Sequence, residues 1–241
     1  MLLKELLSNA SIGINEIRLR DLLTVRSCVN EDVFIRSMFP PVGMGSITLV
    51  DQIVLLSLSQ IFNPKVIVEV GTFLGFTTAL LALNSNARVY SIDLPISDYI
   101  LDLQFDADLI HTDAEQNDNF LRNKQALQGE VYLDRLPPEV QDRISLIKAD
   151  STTLSFKEQF RSAQFVFIDG GHSRAIIESD SLNARSIVES GVIVWHDFGS
   201  RIHTQVTEYL SHETNRKIFH VKDSMCAFEI ISAERDRDEL A

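Results

Sequence analysis

The fold of this chain is decided by one stretch, Val66-Ile-Val-Glu-Val-Gly-Thr-Phe-Leu-Gly-Phe-Thr-Thr-Ala-Leu-Leu-Ala82. Its first five residues form a short β-branched run that predicts a buried strand, although one acid, Glu69, interrupts it. Gly71 and Gly75 then allow a sharp turn and a close approach of a ligand to the backbone. From Phe76 onward the apolar spacing is helical, and the first N–H groups of such a helix point back toward the turn. The stretch therefore predicts a strand, a ligand-binding turn and a helix in direct succession.

A second predicted strand, Arg88-Val-Tyr-Ser-Ile-Asp93, ends in an acid. In nucleotide-binding βαβ units an acid at this place contacts the ribose. The dinucleotide fingerprint G-x-G-x-x-G is missing, because the turn reads Gly71-Thr-Phe-Leu-Gly75, and the Lys-Ser/Thr pair of a P-loop is also missing. A cofactor with ribose and adenine but without phosphates fits this looser turn better. The plain alternative is an α/β protein whose two glycines serve only a tight turn.

Length and composition are typical of a single soluble domain. With 241 residues and 45% hydrophobic content, the chain can bury a full core. No apolar run approaches the ~20 residues of a membrane span, and the first residues lack the pattern of a signal peptide. Cys28 and Cys226 form no C-x-x-C pair and suit a reducing compartment. We therefore expect a cytoplasmic protein.

The negative charge is concentrated in one segment. The chain has a net charge of −12, and residues 96–142 hold eleven acidic and three basic residues, a net charge of −8. Such a surface repels phosphate backbones, so a nucleic-acid partner is disfavoured. A run of acidic residues usually forms the solvent-exposed face of a helix. The alternative is a lid over the cleft that attracts cationic substrates.

The rest of the chain alternates predicted helices and strands. Residues 1–45 show amphipathic helical spacing, and Ser46 can cap a helix that ends near residue 62. The remaining predicted elements are strands at 144–148, 165–168 and 192–195, helices at 174–189 and 201–212, and a hairpin of 217–221 with 225–230. This pattern predicts an α/β fold with a doubly wound, mostly parallel, Rossmann-like sheet of seven strands and a C-terminal antiparallel hairpin.

Two regions flank or interrupt this predicted core. We divide the chain into an N-terminal helical cap, 1–45, and a ligand-binding domain, 46–241, with the acidic insertion 96–142. Both the cap and the insertion could close over a cleft and set substrate choice. They could equally form a dimer interface, in which case the protein would be a homo-oligomer.

Polar side chains lie at or just after the carboxyl end of each of the five predicted parallel strands. They are Glu69, Asp93, Asp150 with Ser151, Asp169, and the pair His196-Asp197. The carboxyl ends of parallel strands meet at one edge of a sheet, where ligands bind at the topological switch point. The five polar strand ends therefore predict a cleft.

The pattern E-x-G-x-x-x-G, followed by an acid on the next strand, resembles motif I of the class I S-adenosylmethionine-dependent methyltransferases. The resemblance implies that Asp93 binds the ribose hydroxyls of this cofactor and that Glu69 orders the glycine loop. The remaining cofactor contacts that it implies are Gly71, Thr72 and Gly75 in the loop, and Asp150 and Ser151 at the adenine edge. Each Asp or Ser also has a plain alternative role as a helix or turn cap.

A second motif, Phe165-Val-Phe-Ile-Asp-Gly-Gly-His-Ser173, precedes Trp195-His-Asp-Phe198. Together they resemble the branch of these methyltransferases that contains the macrocin- and mycinamicin-type sugar O-methyltransferases, over about residues 46–230. The resemblance implies that Asp169 and Asp197 are ligands of a divalent metal and that His172 is the general base.

One position departs from that branch, because His196 stands where an acid is usual. As a third ligand, His196 would shift the preference from Mg²⁺ toward Mn²⁺, Fe²⁺ or Zn²⁺. Alternatively there is no metal, and His196 bonds to a carboxylate. The other histidines, His111, His203, His212 and His220, lie outside these motifs and are predicted at the surface.

The resemblance implies a methyltransferase, which is a transferase that uses S-adenosyl-L-methionine. It also implies that a divalent Mg, Mn or Fe ion assists the reaction. A hydroxyl is a poor nucleophile until it loses its proton, so a metal and a histidine base favour O-methylation of a hydroxylated small molecule, with a sugar or secondary metabolite as acceptor. Three rivals remain. The first is a metal-dependent hydroxylase, since the resemblance extends to cephalosporin hydroxylase. The others are a non-catalytic nucleoside-binding domain and, more distantly, an NAD-dependent dehydrogenase.

Overall fold

An eight-stranded sheet runs through the part of the chain that the computed structural model describes, residues 3–29, 35–37, 45–96 and 103–232. The strands are β1 (Gly13–Ile17), β2 (Val66–Val70), β3 (Arg88–Asp93), β4 (Ile144–Lys148), β5 (Phe165–Ile168), β6 (Gly191–Trp195), β7 (Lys217–Val221) and β8 (Ala227–Ile231). Their order across the sheet is β1-β7-β8-β6-β5-β2-β3-β4, and only β8 runs antiparallel to its neighbours. The predicted α/β fold and mostly parallel sheet are confirmed, but the predicted number of seven strands is wrong.

The additional strand, β1, lies inside the segment that we predicted to be helical. Gly13–Ile17 pairs in parallel with β7, so that Gly13 lies opposite Lys217 and Ile17 opposite Val221. Two short helices, α1 (Leu3–Asn9) and α2 (Leu19–Ser27), flank it. The three-residue spacing of Ile14 and Ile17 is compatible with a helix, but pairing with a strand about 200 residues away overrides this local preference. The N-terminal segment is therefore an extension of the sheet, flanked by helices.

Within the described residues, seven further helices connect the strands. They are α3 (Leu49–Phe62), α4 (Phe76–Leu83), α5 (Ala114–Gln128), α6 (Pro138–Gln141), α7 (Phe156–Phe160), α8 (Arg174–Ile187) and α9 (Thr204–Ser211). The predicted cap of α3 at Ser46 is wrong. Thr48 takes this role, because its Oγ1 accepts from the Asp51 N–H and the Asp51 carboxylate accepts from the Thr48 N–H. Helices α8 and α9 are two to four residues shorter than predicted.

The helices cover both faces of the sheet. Side chains of α2, α3 and α4 pack with Ile67 and Phe167 on one face, and those of α7, α8 and α9 pack with Val68 and Val166 on the other. Because β2 and β5 are neighbours in the sheet but distant in sequence, the strand order reverses between them, and this is where a ligand cavity is expected.

Parts of the predicted N-terminal cap and acidic insertion, residues 30–34, 38–44 and 97–102, lie outside the described residues. Within the ranges that are described, none of the helices has the length and apolar character needed to cross a membrane.

Candidate functional site

A cavity of about 380 Å³ opens at the carboxyl ends of β2, β3, β5 and β6. Most of the predicted site residues line it, namely Gly71, Thr72, Asp93, Asp150, Ser151, Asp169, His172, His196 and Asp197. Helix α5 of the acidic insertion supplies another wall through Asn117, Asp118, Leu121, Arg122 and Gln125. Residues 3–29 and 35–37 do not line this cavity. The described part of the insertion therefore borders the site, whereas Gly45 is the one described residue of the predicted cap that lines the cavity.

The glycine turn after β2 brings two loops into direct contact. Gly71 has a φ of +98°, and a Cβ atom at this position would lie 2.0 Å from the backbone oxygen of Asp169. Gly75 also has a positive φ, and it begins α4 beneath the side chain of Leu133. Only glycine fits the first of these positions, so the turn fixes Asp169 next to the predicted cofactor loop.

Asp93 anchors this turn from the end of β3. Its Oδ2 accepts hydrogen bonds from the backbone N–H groups of Thr72 at 3.1 Å and Phe73 at 2.8 Å. The same oxygen accepts from Gln125 Nε2 of α5 at 2.6 Å, while Oδ1 accepts from the Leu94 N–H. The acid at the end of β3 therefore holds the glycine turn and helix α5 together.

Glu69 does not line the cavity but lies fully buried behind the turn. Its carboxyl group accepts hydrogen bonds from Thr78 Oγ1 and from Ser91 Oγ. Burial raises the pKa of Glu69 to about 8. The nearby Asp169 and Asp93 also raise this pKa, whereas the two hydrogen bonds lower it. Glu69 is therefore placed to order the loop from behind.

Asp150 and Ser151 line the cavity after β4. Asp150 Oδ1 accepts from the Thr152 N–H at 2.9 Å, so this side chain also caps the short 3-10 turn Ser151–Thr153. The predicted adenine contact and the capping role are compatible, because a carboxylate has lone pairs for both.

A cluster of histidines and aspartates lies where β5 and β6 end. His172 Nδ1 lies 2.9 Å from Asp118 Oδ1, and His172 Nε2 lies 3.0 Å from Asp197 Oδ2. The ring of His203 stacks on that of His172 with centroids 3.5 Å apart and an interplanar angle of 2°. Asp118 belongs to α5, so the insertion supplies one member of the cluster.

His196 lies deeper, on the other side of Asp197. Its Nδ1 is 3.2 Å from Asp169 Oδ1 and 3.4 Å from Asp197 Oδ2. Its Nε2 is 3.5 Å from the fully buried carboxylate of Asp51. The structure thus places His196 within reach of three carboxylates, including both acids that were predicted to bind a metal with it.

The carboxylates determine the charge of these rings. Burial alone would lower the pKa of His172, but Asp118 and Asp197 raise it to about 10. Asp169 and Asp197 likewise raise the pKa of His196 well above its usual value, against the effect of burial. Burial opposes ionisation of Asp197, but its imidazole neighbours hold its pKa well below the usual range. At neutral pH these carboxylates therefore face imidazolium cations.

Two groups in this cluster have the composition of a metal site. The ligand atoms of Asp169, His172 and Asp197 lie within 4.8 Å of one another, and so do those of Asp118, His172 and His203. Carboxylate and imidazole donors together suit Mn²⁺, Fe²⁺ or Zn²⁺ better than Mg²⁺. The residues of the first group therefore fit a divalent metal, with His172 in place of the predicted His196, whereas the second group contains none of the three predicted ligands.

A family model described as a methyltransferase domain matches residues 68–198. The match covers more than half of the chain and extends from β2 to just beyond β6, so it contains the glycine turn, Asp93, Asp169, His172 and Asp197. The chain belongs to this methyltransferase family. The resemblance to methyltransferases, inferred from the motifs, is confirmed. His203 lies outside the matched residues.

The chain is also similar to several solved structures. An O-methyltransferase from Bacillus cereus in complex with SAH is 16% identical, with 87% of each chain covered and a TM-score of 0.46. An SAH-bound methyltransferase from Podospora anserina is 11% identical, with 93% of this chain and 90% of that chain covered and a TM-score of 0.48. An O-methyltransferase from Streptomyces achromogenes involved in tomaymycin synthesis, in complex with SAM, is 13% identical, with 77% and 82% covered and a TM-score of 0.46. No curated protein sequence matches the chain.

Sequence reasoning missed three residues of the site in this methyltransferase domain. Asp118 and Gln125 were counted only as part of an acidic insertion, yet Asp118, Arg122 and Gln125 have the spacing of one helical face. His203 was predicted at the surface, and this is wrong, because it is 7% exposed and stacked on His172. His111 and His212 are exposed as predicted, and His220 is half-buried.

Proposed function

We propose that this methyltransferase domain transfers the methyl group of S-adenosylmethionine to a hydroxyl group of a small molecule, with a sugar or secondary metabolite as the acceptor class. One observation carries the proposal. Two sets of residues line the same cavity, the glycine turn with Asp93 and the cluster of Asp169, His172 and Asp197. The first set suits a nucleoside cofactor, and the second suits deprotonation of a hydroxyl.

The cofactor set fits S-adenosylmethionine. A volume of about 380 Å³ is within the usual range of small-molecule pockets. Asp93 Oδ1 accepts one hydrogen bond from the described residues, from the Leu94 N–H, and so keeps a lone pair for a ribose hydroxyl. Thr72, Asp150 and Ser151 line the same cavity and can orient the rest of the nucleoside. The bound cofactor supplies a methyl carbon that is already activated by the sulfonium.

The residues of this chain then have to position the acceptor and remove its proton. His172 is the proposed base, and Asp118 and Asp197 fix the orientation of its ring from both sides. With a pKa of about 10, the ring keeps its proton at neutral pH. It can act as a base only when a cation offsets the negative charge of these carboxylates.

The proposed cation is a divalent metal held by Asp169 and Asp197, with His196 as the neighbouring imidazole. Such an ion lowers the pKa of a bound hydroxyl and orients it. Asp169 lies next to Gly71, so the proposed chemistry would take place beside the proposed cofactor loop.

The surroundings favour a small acceptor in a reducing compartment. Asp118 of α5 borders the cavity, and the net charge of −8 over residues 96–142 disfavours a phosphate backbone as partner. Cys28 and Cys226 are free thiols, which is consistent with the proposed cytoplasmic location.

The test uses S-adenosylmethionine with a labelled methyl group and a panel of catechols, phenols and sugars, together with their amine analogues. Mass spectrometry measures the labelled product and the S-adenosylhomocysteine released, with EDTA and then with Mg²⁺, Mn²⁺ or Fe²⁺. We expect label on a hydroxylated acceptor, supported by one of these ions. His172→Asn should lower the rate by about 100-fold or more, whereas His212→Asn, at an exposed histidine, should leave it unchanged.

Label on the amine analogues alone would contradict the proposed acceptor chemistry. An unchanged rate in His172→Asn would contradict the proposed base.

A metal-dependent hydroxylase is the second candidate, and one observation favours it. Asp169, His196 and Asp197, the three residues that would hold iron in such an enzyme, lie together, with His196 Nδ1 3.2 Å from Asp169 Oδ1 and 3.4 Å from Asp197 Oδ2. The same panel separates the two functions, because hydroxylation requires Fe²⁺ and O₂ and adds oxygen rather than the labelled methyl group. A non-catalytic nucleoside-binding domain predicts neither product.

A further inference from the structure

We propose that Arg122 binds a carboxylate group of the acceptor, so that the small molecule is a hydroxylated acid. Among the described residues that line the cavity, Arg122 is the only lysine or arginine. It lies on helix α5, which forms the wall that the acidic insertion supplies. The inference rests on the proposed function, because it names the class of molecule that receives the methyl group.

The guanidinium group of Arg122 has no hydrogen bond or ion pair among the described residues. Asp118 precedes it by four residues, which is the spacing at which an acid and a base on one helix usually pair. The Asp118 carboxylate lies beside two imidazoles instead, 2.9 Å from His172 Nδ1 and 3.4 Å from His203 Nε2. The cation therefore lines the cavity without an acid that offsets its charge.

The carboxylates of the cavity, by contrast, all have partners. Asp93 and Asp150 accept hydrogen bonds from neighbouring backbone N–H groups. Asp169 and Asp197 lie beside ring nitrogens of neighbouring histidines. In the described lining, Arg122 is thus the charged group without an ion pair or a hydrogen bond, and the ligand that such a group attracts is an anion.

Two contacts of helix α5 define where this cation lies. One helical turn before Arg122, Asp118 contacts the proposed base, His172. One turn after it, Gln125 Nε2 donates to Asp93 Oδ2 at 2.6 Å. Residues three and four apart share a face of a helix, so Arg122 faces the space between the proposed base and the proposed ribose contact. The acceptor has to lie in this space if His172 removes its proton.

The cavity favours a carboxylate over a more highly charged anion. A guanidinium group can donate two parallel N–H groups to the two oxygens of a carboxylate. The lining contains five aspartates and this single arginine, so a doubly charged phosphate group would meet more repulsion than a carboxylate with one charge.

The carboxylate of the cofactor is the alternative partner, but helix α4 offers that group a place of its own. Phe76 and Thr77 of its first turn line the cavity, and Gly75 provides no side-chain cap. The N–H groups at the start of a helix have no partner within the helix and attract anions. Arg122 is therefore left for the acceptor, and the experiment separates the two partners.

The experiment measures the binding of matched acids and amides by calorimetric titration of the full chain, with and without S-adenosylhomocysteine. The probes are 3,4-dihydroxybenzoate, salicylate and gluconate, each with its neutral amide. We expect the wild type to bind at least one acid about 10- to 100-fold more tightly than its amide. Arg122→Gln should remove this preference, and Arg122→Lys should retain part of it. The control Arg20→Gln, at an exposed arginine of α2, should retain all of it.

Three results would overturn the proposal. The first is a wild type without preference for any of the acids, and the second is a preserved preference in Arg122→Gln. The third is weaker binding of S-adenosylhomocysteine to an Arg122→Gln protein with the Tm of the wild type, because the cofactor would then be the partner of Arg122.

A failure of the proposed function gives a different pattern. Acid binding that depends on Arg122, without labelled methyl on any bound acid, would support the anion contact and contradict methyl transfer. Labelled methyl on the amides as readily as on the acids would support methyl transfer and contradict the role of Arg122.

Discussion

Replacement of Glu69 by Gln should make this protein more stable at alkaline pH. Glu69 is a fully buried acid on the central strand β2, and its only described hydrogen-bond partners are the hydroxyl groups of Ser91 and Thr78. Burial raises its pKa from the usual 4.5 to about 8. Glutamine has nearly the same shape as the protonated acid but has no proton to lose.

The direction of this change in stability follows from the number of protons that the folded and the unfolded protein bind. Between pH 4.5 and about 8 the folded protein keeps the proton of Glu69 and the unfolded chain loses it, so stability falls as pH rises through this window. Each pKa unit corresponds to about 1.4 kcal/mol, which sets an upper limit of about 5 kcal/mol on the loss. Glu69→Gln removes this loss, so the two proteins should differ little near pH 4.5 and by a few kcal/mol at pH 9.

Urea unfolding of both proteins at several pH values between 4.5 and 9 measures this difference. Other titrating groups are common to both chains, so subtraction isolates Glu69. Glu178→Gln, at an exposed position of α8, is the matched control and should show a constant difference from the wild type. A free-energy difference between Glu69→Gln and the wild type that stays the same across this range would refute the reasoning.

Two further predictions concern the framework of the site. Arg185→Met should lower the free energy of unfolding by about 3 kcal/mol, because it removes a 3.0 Å ion pair to the fully buried Glu229. Arg216 also contacts Glu229 and limits the loss, and urea unfolding at neutral pH checks the value. Gly71→Ala should cost about 2 kcal/mol or more, because a φ of +98° strains alanine and its Cβ would meet the Asp169 backbone oxygen. A thermal melt of Gly71→Ala that matches the wild type would show that the turn can relax.

The central strands could be predicted from the sequence because their signals are local. Val66–Val70 and Phe165–Ile168 are apolar runs bounded by polar or glycine residues, and the structure has them with the predicted bounds. The residues that follow them, Gly71 and Asp169, could be placed in one cleft because parallel strands end at the same edge of the sheet.

Strand β1 and the partners of His172 could not be found in this way. Gly13–Ile17 becomes a strand by pairing with Lys217–Val221, a contact that no local pattern reveals. Asp118 precedes His172 by 54 residues, and His203 follows it by 31, on elements whose packing is a tertiary property. The sequence thus predicted the strand-end aspartates, while the partners that set the charge of His172 required the structure.

The central claim is that the cavity holds S-adenosylmethionine through the carboxylate of Asp93. Calorimetric titration of the purified protein with S-adenosylmethionine, S-adenosylhomocysteine and NAD⁺ tests it most directly. We predict one site with micromolar affinity for the first two and no binding of NAD⁺, and a loss of about 10- to 100-fold in Asp93→Ala. Lack of binding of either adenosyl compound, or unchanged affinity in a folded Asp93→Ala protein, would contradict the claim.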